Sequence, residues 1–365
     1  MLHNIPHSAR NSWIRRALLF GLSAAICVSG CITPRPPSSA YPGLYSITTG
    51  IQRSPEIAAR RPVFDDFKAI AHQLSAVCGR DTSHVVQMEW QELKSIPHVL
   101  PLGMPGGILL TKDGWGIDES EVANIEWKFY QQQLIAGGAV AQATQLAAEA
   151  LPMADYFTNP FYDYYPVVGV SYEQVVAFCK WRGRIITQMI NRDKPGSPDS
   201  LAADHIVVDS RLPTEAEWEQ AALAKRGLPY GRRCTEGPVK VEPKAAAYLK
   251  QRSGSTESLE KITADIKAYN RTKPERNFIN YNQTEPAFLQ LKTPAYVFQG
   301  PPNDYQLFQL LGNAAELVQE RGITKGGSYR DPLTACTTTA RGIYTGPAPT
   351  IGFRCVSRAM TPNKR

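Results

Sequence analysis

The chain has 365 residues, 43% of them hydrophobic, and carries a formal charge of +7. That is ample apolar material for one large domain and too much for a disordered chain. The positive charge is spread along the sequence, and no block of Lys or Arg marks a nucleic-acid surface.

The first thirty residues read as a targeting segment. Arg10, Arg15 and Arg16 form a basic start without any acid, and residues 17–28 form an apolar stretch too short to span a bilayer. The stretch ends in Val28-Ser29-Gly30-Cys31, a lipobox whose Cys31 thiol would receive the lipid. Ile32 follows, so the aspartate that holds many lipoproteins at the inner membrane is missing, and an outer-membrane address facing the periplasm is expected. After Cys31 the cysteines are Cys78, Cys179, Cys234, Cys336 and Cys355. This odd number leaves at least one thiol unpaired within the chain. There is no C-x-x-C, and His72, His84, His98 and His205 are far apart, so spacing supports no zinc site.

Residues 31–62, with Pro34, Pro36, Pro37 and Pro42, predict a tether. Residues 63–100 predict an N-terminal helical extension, with Phe64, Phe67, Ile70 and Leu74 at helical spacing over 64–78. The main domain is placed at 101–360. Within it, Asp118-Glu119-Ser120-Glu121 has the form of a capping box before an apolar stripe of Val122, Ile125 and Phe129. The Ala-rich 138–150 predicts a helix inside an insertion near 138–160. Residues 166–170 (PVVGV) form a β-type run, and Ser171 and Gln174 then cap a helix bearing Val175, Cys179 and Ile186. Thr214 and Glu217 form a further capping box in Arg211-Leu212-Pro213-Thr214, with Trp218 behind it. Residues 238–275 are polar and predict a surface insertion or flexible loop.

In this order the segments resemble the formylglycine-generating enzyme (sulfatase-modifying factor) family. They are 119–130 (ESEVANIEWKFY), 166–181 (PVVGVSYEQVVAFCKW), 211–219 (RLPTEAEWE), 312–316 (GNAAE), 325–329 (KGGSY) and 352–355 (GFRC). With the lipobox, residues 156–170 (YFTNPFYDYYPVVGV) resemble the gliding-motility and type IX secretion lipoproteins of Bacteroidota. The resemblance implies an α+β, loop-rich domain related to the C-type lectin-like fold. The short β-type runs, capped helices and many Gly and Pro agree with it.

What the resemblance implies for chemistry is mixed. Enzymes of the family use oxygen and copper(I), held by two thiolates, to convert a sulfatase cysteine to formylglycine. Counting from Ser328, those positions are Asp331 and Cys336, so one soft ligand is replaced by a hard carboxylate and bound copper is not expected. Ala315 stands where a tryptophan is usual. The family's calcium loop maps onto Gln309, Gly312, Ala314 and Glu316, with Asn280 at the start of a second loop, so calcium is the cofactor to test. Cys179 and Cys355 are implied to pair.

The leading expectation is a non-catalytic envelope component, anchored by lipid and partnered by other envelope proteins. The alternatives are a periplasmic formylglycine-type oxidase acting through Cys336 and Ser328, and a carbohydrate or peptide receptor presenting tyrosines near Tyr162 and Tyr165.

Overall fold

The structure is a computed structural model that describes residues 46–51, 107–109, 113–140, 144–196, 204–224, 241–272, 279–282, 293–298, 302–303, 305 and 307–362. The lipobox, the 64–78 helix, Cys31, Cys78 and Cys234 lie outside these residues. No helix among the described residues is long and apolar enough to cross a membrane.

Two small sheets form the frame. In the first, β1 (Gly107–Leu109), β2 (Gly116–Asp118), β8 (Val356–Met360) and β3 (Val207–Arg211) are antiparallel in that spatial order. In the second the order is β6 (Arg341–Ile343), β5 (Ile323–Lys325), β4 (Ala315–Leu317) and β7 (Ile351–Gly352), with only β4 and β7 parallel. The helices are α1 (Asn124–Ala136), α2 (Tyr172–Asn191), α3 (Glu215–Leu223), α4 (Ala246–Ser253) and α5 (Leu259–Thr272).

Helix α2 begins as its sequence requires. Ser171 Oγ accepts from the Gln174 N–H, and Gln174 Oε1 accepts from the Ser171 N–H. Its Gly183 lies against β3, where a Cβ would come within 2.7 Å of the Val208 carbonyl, so only glycine permits this approach. Phe178, on the same helix, stacks on Trp127 of α1 at 5.5 Å and meets Phe353 edge-on at 5.3 Å.

Several predicted elements differ. The helix after Asp118 starts only at Asn124, with Ala123 as an N-cap that makes no side-chain bond. Asp118 belongs to β2 and binds Arg182, while Glu121 is buried beneath Asn313, so neither is available to cap. Residues 145–150 contain a 3-10 turn at Ala148–Ala150 and no α-helix. The Thr144 carbonyl accepts from Trp127 and Gln131, and the Ala147 N–H reaches the Gly169 carbonyl, in place of helical bonds. The supposed β-run at 166–170 forms a single bridge, Ala123 to Pro166.

The insertion near 138–160 is no appendage at its far end. Tyr156, Phe161, Tyr162 and Tyr165 build an aromatic core with Tyr296, Phe298 and Phe308. Tyr162, Tyr164 and Tyr165, which suited either a binding surface or a core, are buried packing residues. Residues 238–275, expected as a surface insertion or flexible loop, contain the hairpin of α4 and α5. It closes over its own small core of Val241, Ala246, Leu249, Ile262 and Ile266.

Part of the predicted tether is packed on the domain. Residues 46–51 form a turn whose Ser46 and Thr48 hydroxyls donate to Glu126 Oε2 at 2.5 and 2.8 Å. Arg182 Nε donates to the Thr48 carbonyl at 2.6 Å, and Ile47 enters the aromatic core. Each of these partners is buried, so the turn completes the fold as an integral part of it.

Candidate functional site

The loop from Gly326 to Cys336 leaves β5 through two glycines with φ of +86° and +66°. A Cβ on Gly327 would lie 2.8 Å from Cys336 Sγ, so the tight turn seats the thiol. Beyond it, Asp331 Oδ2 accepts from the Ser328 N–H at 2.8 Å and from Ser328 Oγ at 2.5 Å. Ser328 Oγ in turn accepts from the Arg330 N–H, and the Asp331 N–H returns to the Ser328 carbonyl. The Asp331 carbonyl accepts from Asn282. Asp331 thus closes a short side-chain-capped turn, a role for which a carboxylate suits and a thiol does not.

Cys336 is 2% exposed and sits in the core cluster that includes Trp218 and Leu310. Its Sγ is 3.8 Å from the Ser328 carbonyl, which can accept from S–H. Burial, with Asp331 adding repulsion, pushes the thiol up to about 12, so it is protonated at neutral pH. Ser328 and Cys336 are brought together as the resemblance implies. Copper(I) needs a second soft ligand, and the donor set here of one neutral buried thiol and one engaged carboxylate does not fit it.

The predicted calcium loop is organised around an arginine. Glu316 Oε1 accepts from Arg354 Nη2 at 2.6 Å, and Oε2 accepts from Arg354 Nε and from Trp218 Nε1, both at 2.7 Å. Arg354 also donates to the carbonyls of Asp118 and Phe308. Glu316 is the only charged member of the expected set, and both its oxygens are engaged. Gln309 adopts φ +53° and donates to the Tyr296 carbonyl at 3.3 Å. The Gly312 N–H bonds the Gly326 carbonyl, and the Ala314 N–H approaches Glu121 Oε1. The residues Gln309, Gly312, Ala314 and Glu316 are neighbours, as expected, and the one carboxylate among them is paired with Arg354. Asn280, expected to open a second calcium loop, gives its amide to Asn313 Oδ1 at 2.8 Å. Ala315 is packed in the core with Leu317.

The polar members of the 211–219 stretch are engaged within the fold. Thr214 and Glu217 form the capping box, and Arg211 clasps the Glu217 carboxylate through two nitrogens at 2.7 and 2.8 Å. Trp218 is the donor to Glu316. Glu215 and Glu219 hold the buried Lys325 ammonium at 3.0 and 2.7 Å. Arg341, with Lys325, holds the Glu215 carboxyl down at about 2. Cys179 and Cys355, implied to pair, lie together: their sulfurs are 3.1 Å apart and buried.

Sequence reasoning missed Arg182, Arg354, Glu126 and Lys325, the buried charges that join distant segments. Arg354 lies within the GFRC motif, where a charged residue flanked by Phe353 and Cys355 was the available signal.

In this arrangement Cys336 and Asp331 stand at the two positions where the resemblance implies copper-binding thiolates. The Sulfatase-modifying factor enzyme 1-like domain family matches residues 110–359, and the chain belongs to that family. The chain is 24% identical over 222 residues to the formylglycine-generating enzyme of Bos taurus, a match covering 53% of this chain and 44% of the bovine protein. It therefore spans less than half the length of that relative. Among solved structures, CarF is 16% identical with a TM-score of 0.37, covering 67% of this chain and 86% of CarF. PvdO from Pseudomonas aeruginosa is 17% identical with the same score, covering 67% and 80%.

Proposed function

We propose that this protein is a non-catalytic, lipid-anchored component of the cell envelope that uses the family's domain as a structural or assembly part. The observation that carries the reading is the Ser328–Asp331 turn: the place of one copper ligand holds a carboxylate already bonded to a backbone N–H and a hydroxyl. The small Ala315 in place of a tryptophan supports it further. The anchor is supported by the lipobox ending in Cys31, and outer-membrane placement facing the periplasm by Ile32 after it. The likeness of residues 156–170 to gliding-motility and type IX secretion lipoproteins supports a role in such an assembly, with other envelope proteins as partners.

The test is copper(I) affinity of the purified protein against Cys336→Ala and Asp331→Cys. Wild type and Cys336→Ala should bind equally weakly, through exposed groups alone. Tight stoichiometric binding by wild type, lost in Cys336→Ala, would contradict the proposal.

A further inference from the structure

The surface at the end of α1 differs in composition from the rest of the chain. Charged residues make up 20% of the sequence, yet none stands between Phe129 and Ala148. Within this tract Ile135 and Val140 are 60% and 71% exposed, and residues 136–139 between them are exposed as well. Apolar side chains displayed together in this way mark a surface that another molecule covers.

Beside them a groove of about 310 Å³ runs between α1 and the turn at 157–158. Its helical wall is Ile125, Lys128, Gln132 and Ile135, spaced by three, four and three residues and so on one face of α1. Phe157 and Thr158 form the opposite wall. The Lys128 ammonium is matched within the chain: it bonds the buried Asp163 carboxylate and lies 5.2 Å from the centre of the Phe157 ring. Asp155, whose carbonyl accepts from the Thr158 hydroxyl, takes the Asn159 amide on its carboxylate. The patch thus offers a protruding apolar pair and a recess of the same character.

Its lack of charge says which partner fits. At a twofold axis a residue meets its own copy or a near neighbour of it, so any charge there faces its like. An uncharged tract satisfies that condition. A different partner sets no such condition, and interfaces of that kind use opposite charges for steering and selection. We propose that this patch is the interface of a homodimer, in which the ends of two α1 helices meet and Ile135 and Val140 of each copy fill the groove of the other. Lys128 and Asp155, matched within each chain, then belong to the polar surroundings of an apolar contact.

The test is sedimentation equilibrium of the full chain in density-matched detergent, comparing wild type with Ile135→Lys and Val140→Lys. Wild type should show a reversible monomer–dimer equilibrium. Each variant should raise its Kd by about a hundredfold, since both copies would then bury an unmatched ammonium. The last turn of α1 has no basic residue and both side chains are exposed, so lysine suits the monomer and circular dichroism should match wild type. A second measurement mixes Ile135→Cys chains with Thr158→Cys chains and adds a short bismaleimide. Cross-linked pairs containing one chain of each kind should form above the level given by wild type alone. A chain that stays monomeric up to roughly 100 µM would overturn the proposal. So would a dimer that both lysine variants retain, which places the interface elsewhere. A monomer that holds a different protein in wild type and loses it in Ile135→Lys would assign the patch to that partner and overturn the proposal equally.

Discussion

Replacing Glu316 by Gln separates a structural role for this carboxylate from a metal-binding one. The variant keeps the shape and removes the charge that two Arg354 nitrogens and the Trp218 indole address at 2.6–2.7 Å. Arg354, fully buried, would be left with carbonyl acceptors only. Removing one partner of a buried, hydrogen-bonded ion pair costs about 3–5 kcal/mol, because the remaining charge is stranded in a medium of low polarity. For a domain of this size that is about 6–20 °C in Tm. Paired urea and thermal unfolding of wild type and Glu316→Gln, each with and without a calcium chelator, give the answer. The loss should be of that size and the same in both conditions, since the partner is an arginine. A loss below about 1 kcal/mol would refute the reasoning, as would a difference between the two proteins that vanishes on chelation.

Other outcomes follow from the same geometry. Cys179 and Cys355, buried in contact, should be recovered as a linked pair by non-reducing peptide mapping of periplasmic material, and reduction should cost about 2–5 kcal/mol; two free thiols would contradict this. Phe178→Ala should destabilise by about 3–5 kcal/mol in urea melts, since the ring packs on Trp127, Tyr130, Trp181 and Phe353. The Glu215 carboxyl, held down to about 2 chiefly by its bonds to Arg341, contributes stability that is full above the unfolded value of about 4.3 and is lost as pH falls toward 2. Acid titration of Arg341→Ala should show less of that loss, and an unchanged profile would contradict the assignment. Cys31→Ala should move the protein from the detergent to the aqueous phase on partitioning.

What the sequence disclosed and what it concealed divide along range. The boxes at Ser171 and Thr214 were legible because both partners lie three residues apart, and the Ser328, Asp331 and Cys336 spacing was legible because one loop holds all three. The turn at 46–51 was hidden among prolines, since what orders it is Glu126, about eighty residues further on. Asp118 and Glu121 imitated a capping box because acidic residues before an apolar stripe are equally the pattern of buried charges with remote partners. The α4–α5 hairpin was concealed by its polar composition, although Ile262 and Ile266 stand four residues apart and both are buried. For the tyrosines at 162–165, clustered aromatics suited either a binding surface or a core. Their packing against Tyr296 was not predictable from local pattern.

The absence of formylglycine chemistry is the central claim. Its most direct test loads the purified protein with copper(I), adds a sulfatase-type peptide containing the target cysteine under oxygen, and seeks the aldehyde by mass spectrometry. The account predicts no aldehyde above the level of Cys336→Ala. It predicts none from Asp331→Cys either, because that change releases the Ser328 turn and leaves Ala315 in place of the usual tryptophan. Aldehyde formed by the wild type at turnover well above the Cys336→Ala control would contradict it.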